Sequence, residues 1–161
     1  MLTHLKKALL ALSCGVLFMF PAFTAVASDQ LLTDFTYSAQ PMDVSQNVAH
    51  ALMEKNGAVV IDVRTPEEYA AGHIEGAYNF PVEELHKHYD ELAILKENNT
   101  PVLLYCRSGR RSGNAMMQLH KEGFSYLMNM GGVLTWEYDL TTDKTTKPFA
   151  EAVKAVTRYQ P

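Results

Sequence analysis

Cysteine is scarce in this chain. Only Cys14 and Cys106 occur in 161 residues, too few for the disulfide framework that staples small exported domains. Charge is scarce as an excess: 14 Lys and Arg against 18 Asp and Glu leave a net charge of -4. Nothing global therefore points to nucleic acid or to a membrane surface. Histidine at ligand spacing is missing too. His86 and His88 have no Cys or carboxylate placed to complete a metal site, so no metal is expected, and no cofactor. There is no internal repeat and no sign of a second domain, and the length suits one domain with a real core.

Acidic residues are absent before Asp29. Lys6 and Lys7 form a basic start, Ala8 to Phe20 is almost wholly apolar, Pro21 breaks the run, and Ala25-Val26-Ala27 supplies a small-x-small cleavage signal. Residues 1–27 thus read as a secretory signal, with a mature chain from Ser28. An uncleaved anchor is the alternative, for which the apolar run is marginal in length. A lipoprotein site at Cys14 fits Ala11-Leu12-Ser13 poorly. The expectation is a periplasmic or secreted monomer with no stable membrane insertion once the signal is removed. Cys106 is then the only cysteine left. It is either a small buried hydrophobe or a working thiol, and its neighbours Arg-Ser-Gly-Arg-Arg favour the thiol.

What is present is organised around Cys106-Arg107-Ser108-Gly109-Arg110-Arg111-Ser112. The apolar run Val102-Leu103-Leu104-Tyr105 precedes it and a helix-like segment, Asn114 to Glu122, follows. A cysteine between a buried strand and a helix sits where an open α/β sheet places its ligands. Helix N–H groups, the helix dipole and three arginines favour an anion and a lowered thiol pKa there. The reading is a nucleophilic cysteine in an anion-binding cradle.

In chain order, Ser28 to Pro41 reads as an extended lead-in. Asp43 to Lys55 reads as a helix, with Val44, Val48, Ala49 and Leu52 at helical spacing. Ala58 to Val63 is an apolar β-branched run without alternation, suited to a strand buried on both faces. Thr65-Pro66-Glu67-Glu68 opens a helix with a capping box. Ala77 to Phe80 is a very short strand, and Glu83 to Leu95 a helix. Ala115, Met116 and Leu119 face the core from the helix after the cysteine. Phe124 to Met128 is the last strand, Gly131-Gly132 a turn, Thr141 to Pro148 a linker, and Phe149 to Tyr159 a short amphipathic helix. Strands alternating with helices give an α/β fold with a parallel sheet.

Three stretches together resemble the rhodanese domain. Ile61-Asp62-Val63-Arg64, Glu67-Glu68-Tyr69 and Gly72 to Asn79 look like its first signature. Cys106 to Ser112 looks like its active-site loop, and Gly131-Gly132 with Trp136 like its closing signature. Order and spacing match from about Met42 to Tyr138, so the domain is drawn over residues 42–140, with 28–41 as lead-in and 141–161 as linker and C-terminal helix.

The resemblance implies a rhodanese-like, five-stranded parallel sheet with helices on both faces. It also implies sulfurtransferase chemistry, in which a sulfane sulfur passes from thiosulfate to cyanide or a thiol through a cysteine persulfide. A protein sulfur acceptor is a further candidate partner. Thiosulfate is a small dianion that suits the arginines, and sulfite leaves without needing a proton. A loop without Asp, Glu or His fits that chemistry, which predicts ping-pong kinetics.

Cys106 is the expected nucleophile. Arg107, Ser108, Gly109, Arg110, Arg111 and Ser112 form the expected substrate cradle. Gly109 allows a tight turn, Arg107 binds the donor with Arg110 or Arg111, and Ser112 caps the helix or donates to the sulfur. Arg64 is a further candidate for anion binding, with an ion pair to Asp62 or a glutamate the favoured alternative. His73 and Trp136 read as structural. Two rival functions stand: a persulfide carrier serving one protein partner, and a Cys-dependent phosphatase or arsenate reductase. The latter need an arginine after five intervening residues, where this chain has Ser112.

Overall fold

Strands β2 (Val59–Asp62) and β4 (Val102–Cys106) carry no exposed residue, as a strand covered on both faces requires. They pair in parallel from Val59 opposite Val102 to Asp62 opposite Tyr105. β1 (Met42–Asp43), β3 (Tyr78–Asn79) and β5 (Leu127–Gly132) complete the sheet, in the order β1-β5-β4-β2-β3. Every pairing is parallel. The computed structural model describes residues 28–160; the secretory signal read over residues 1–27 lies outside the described residues.

The two-residue period of a strand divides the core. Val59, Ile61, Val102, Leu104 and Cys106 face one side. There they meet α3 (Tyr89–Glu97), α4 (Arg110–Lys121) and α5 (Phe149–Ala155) through Leu92, Leu95, Ala115, Met116, Leu119, Phe149 and Val153. Val60, Leu103, Tyr105, Met128 and Met130 face the other side, against Ala49, Ala51 and Leu52 of α1 (Gln46–Glu54). The short α2 (Pro66–Ala70) has no fully buried residue, though Tyr69 packs against the second core group. It is held by its capping box: Glu68 N–H donates to Thr65 Oγ1 at 3.3 Å and Thr65 N–H donates to Glu68 Oε2 at 3.2 Å.

Several boundaries differ from the sequence reading. Asp43 belongs to β1, not to the first helix, because Met42 and Asp43 pair with Met128 and Asn129. A two-residue strand fixed by its neighbour leaves no periodic trace. Helix α1 starts after Ser45, whose Oγ accepts the Val48 N–H. Residues 28–32 are helical rather than extended, with Leu32 fully buried. The expected helix from Glu83 begins instead as a 3-10 helix over Val82–His88 that leads into α3.

The last strand is Leu127–Gly132, shifted from the expected Phe124 to Met128. Positive φ at Gly123 (85°) and Tyr126 (59°) holds the residues before it in a turn. Gly131-Gly132, read as a turn, thereby lies inside the strand. α5 ends at Ala155, short of Tyr159. Asn56 Nδ2 donates to the Ala155 carbonyl at 2.6 Å and Thr157 N–H donates to the Asn56 carbonyl at 3.0 Å, which ends the helix.

Candidate active site

Cys106 is the last residue of β4 and is 1% exposed. The pairing with β5 is regular up to Leu104 opposite Asn129, then shifts, so that Cys106 faces Gly132. Such an irregularity re-aims a side chain at a strand end. After Cys106 the chain makes a turn of only Arg107, Ser108 and Gly109. Gly109 takes φ 94° and α4 begins at Arg110, four positions before the expected Asn114. Arg110, Arg111 and Ser112 are therefore the first helical turn and not loop.

Two glycines make room for this turn. A Cβ at Gly132 would lie 2.3 Å from the carbonyl carbon and oxygen of Arg107, and one at Gly109 3.2 Å from Gly131 Cα. Main chain thus rests on main chain, and Leu134 N–H donates to the Arg107 carbonyl at 3.1 Å.

The sulfur sits among donors. Gly109 N–H lies 3.1 Å from Cys106 Sγ and the Ser112 hydroxyl 3.5 Å from it. Burial pushes the thiol pKa up, but the Ser112 hydroxyl and the main-chain N–H groups of Ser112, Ser108 and Gly109 outweigh it, so the net shift is downward. Helix α4 has no acidic residue in its first turn to compete for these donors. Among the described residues no charged side chain is hydrogen-bonded to the sulfur; the anion is favoured chiefly by oriented dipoles, with the Arg111 guanidinium near enough to interact with it electrostatically.

The arginines part company. Arg107 and Arg110 are exposed, and among the described residues neither forms an ion pair. Arg111 turns to α2 and binds Glu68 through two 2.7 Å bonds. That pair draws the Glu68 carboxyl down to about 2, against the opposing effect of burial. Arg64 does not reach the cradle. It is 5% exposed and paired with the fully buried Asp62, its Nη2 donating to Asp62 Oδ2 at 2.6 Å and to the Gly72 carbonyl at 2.7 Å. The ion-pair alternative for Arg64 is the arrangement found.

Other residues singled out in the sequence are structural in placement. His73 stacks on Tyr69 at 3.7 Å, and its ring nitrogens meet the carbonyls of Tyr69 and Asp143. Trp136 packs against the second core group. Among the described residues no cluster of His, Cys, Asp or Glu is arranged to hold a metal ion.

One residue at the site escaped the sequence reading. Asn129 of β5 meets the Ser112 hydroxyl at 2.7 Å. The available signal was a lone amide in the otherwise apolar run Leu127-Met128-Asn129-Met130. Beside the turn a cleft of about 530 Å³ opens, walled in part by Ser45, Gln46, Ser108, Gly109, Asn129 and Tyr138. A small solute has space there next to the sulfur cradle.

The sequence matches the Rhodanese-like domain family over residues 45–139. It is 40% identical over 80 residues to the uncharacterized protein YqhL of Bacillus subtilis, covering 49% of this chain and 60% of that one. It is 41% identical over 73 residues to the thiosulfate sulfurtransferase PspE of Escherichia coli, covering 45% of this chain and 68% of that one. In structure it resembles a rhodanese-like domain protein from Staphylococcus aureus, with a TM-score of 0.55, 24% identity, and 64% and 99% of the two chains covered. With an all-parallel five-stranded sheet and a cysteine cradle at the end of its central strand, the chain belongs to the rhodanese-like domain family.

Proposed function

We propose that the protein is a sulfurtransferase that takes sulfane sulfur from thiosulfate onto Cys106 and passes it to a thiophilic acceptor, cyanide or a thiol. The observation that carries this reading is the cradle itself: an anion-favouring thiol ringed by N–H and O–H donors, with no acid or base in contact. In the first half-reaction the Cys106 thiolate attacks the outer sulfur of thiosulfate. The S–S bond of thiosulfate breaks and sulfite departs with the bonding pair, leaving an anionic persulfide. In the second, cyanide or a thiolate attacks the terminal sulfur, the Cys106 thiolate leaves, and thiocyanate or a new persulfide is released. Neither step moves a proton at the sulfur, which suits a site with no general acid. Exposed Arg107 and Arg110 supply charge for the dianion, which favours thiosulfate over mercaptopyruvate as donor.

The phosphatase-like reading is weaker. Its arginine position is filled by Ser112, and Arg111 is engaged by Glu68. Export to the periplasm, with the protein acting there as a monomer, completes the proposal; N-terminal sequencing of the protein from a periplasmic extract should begin at Ser28. The test of function is intact mass before and after thiosulfate, then after cyanide. One sulfur atom gained on Cys106 and removed by cyanide, with thiocyanate formed, supports the cycle. An accessible thiol that never gains sulfur overturns it.

A further inference from the structure

Ser112 is fully buried and has one hydroxyl proton with four acceptors in reach. They are Asn129 Oδ1 at 2.7 Å, the Gly109 carbonyl at 3.0 Å, the Gly131 carbonyl at 3.3 Å and Cys106 Sγ at 3.5 Å. One proton serves one acceptor well, so these compete. Asn129 offers the shortest contact. Its amide is oriented from both ends: Nδ2 donates to Asp43 Oδ1 at 2.9 Å, and Oδ1 accepts the Gly131 N–H at 3.3 Å. The opposite orientation would set an amide N–H against the Gly131 N–H and a carbonyl against the Asp43 carboxylate. The oxygen therefore faces Ser112.

We propose that Asn129 is a positioning residue for the chemistry of Cys106: its side-chain carbonyl holds the Ser112 proton while the cysteine sulfur is neutral and yields it to that sulfur when it becomes an anion. The hydroxyl then has two stations. With a neutral thiol it points to Asn129. With a thiolate it turns to Sγ, where a charge-assisted bond outweighs the neutral one.

The rest of the cycle follows from the sulfurtransferase reading. In the persulfide the negative charge lies on the outer sulfur and Sγ is neutral, so the hydroxyl returns to Asn129. When the acceptor takes the outer sulfur, Sγ leaves as an anion and receives the hydroxyl again. The charged groups nearby are otherwise committed or at the rim. Arg111 is paired with Glu68, Arg64 with Asp62, Asp43 is bonded to Asn129, and Arg107 and Arg110 are exposed.

The test needs no sulfur transfer, so its failure and the failure of the sulfurtransferase reading are distinguishable. Iodoacetamide alkylation of Cys106 is followed by peptide mass against pH in the parent protein, Asn129→Leu, Ser112→Ala and the double variant. Removing the Asn129 carbonyl costs the neutral state its best bond. The alkylation midpoint of Asn129→Leu should fall by about 0.5–1 pH unit, the worth of one neutral hydrogen bond. Ser112→Ala should raise it, and adding Asn129→Leu to Ser112→Ala should change nothing further, because the effect passes through Ser112. Should Asn129→Leu not fold by circular dichroism, Asn129→Ala takes its place with the same expected signs. An unchanged or raised midpoint in the single Asn129 variant, or an equal fall in both backgrounds, overturns the proposal.

Discussion

At Cys106 hydrogen-bond donors, not a charged group bonded to the sulfur, favour the anion. Its thiol lies below the ordinary range through four N–H and O–H donors acting against burial. The rate of thiosulfate loading should therefore rise with pH through an inflection below the roughly 8.5 of a free thiol; stopped-flow loading against pH checks it. Cys106→Ser should abolish transfer with little change in melting temperature, measured by scanning fluorimetry. Arg107 is exposed and unpaired, so Arg107→Ala should raise the KM for thiosulfate by about tenfold with a smaller loss in kcat, as steady-state kinetics will show. The place of Cys106, at the end of a buried strand and before a helix, was legible from the apolar run Val102 to Tyr105; that its side chain lies within the core group at 1% exposure was not. The sequence could not sort the arginines. Which one turns away was decided by Glu68, 43 positions distant from Arg111, and no local pattern carries that separation.

At the level of elements, α2 and α4 are tied by Glu68 and Arg111, both partly exposed. The folded-state pKa of Glu68 is depressed, to about 2. Its contribution to stability is complete above the unfolded value of about 4.3 and is lost as pH falls toward 2. Glu68→Gln should lower the melting temperature at neutral pH and converge with the parent protein in acid; thermal melts at both ends of that window test the sign. Gly132 governs the approach of β5 to the turn. Gly132→Ala places a methyl against the Arg107 carbonyl and should cost about 1–3 kcal/mol in urea unfolding while weakening transfer through the displaced turn. The central strands were legible because their apolar runs lack alternation. β1 and the true span of β5 were not, since pairing and a positive φ at Tyr126 set their limits.

Over the whole molecule, the segment after β5 is packed back onto the sheet. Thr141 bridges to His73, Tyr78 Oη donates to the Lys147 carbonyl, and Phe149 meets Phe80 edge to face. The large apolar residues of α5, Phe149 and Val153, are buried against the core; Phe149→Ala should cost about 3–5 kcal/mol, read from urea unfolding. The alternation of β2 to β5 with helices was readable in the sequence, yet β1 and the order of strands across the sheet were not. The two lateral strands, β1 and β3, are each two residues long. They offer almost no free ladder on which another chain could extend the sheet. On the proposed sulfurtransferase reading, a macromolecule collecting sulfur from Cys106 would then be recognised by side chains around the cleft and turn, its specificity residing in surface chemistry rather than in backbone pairing.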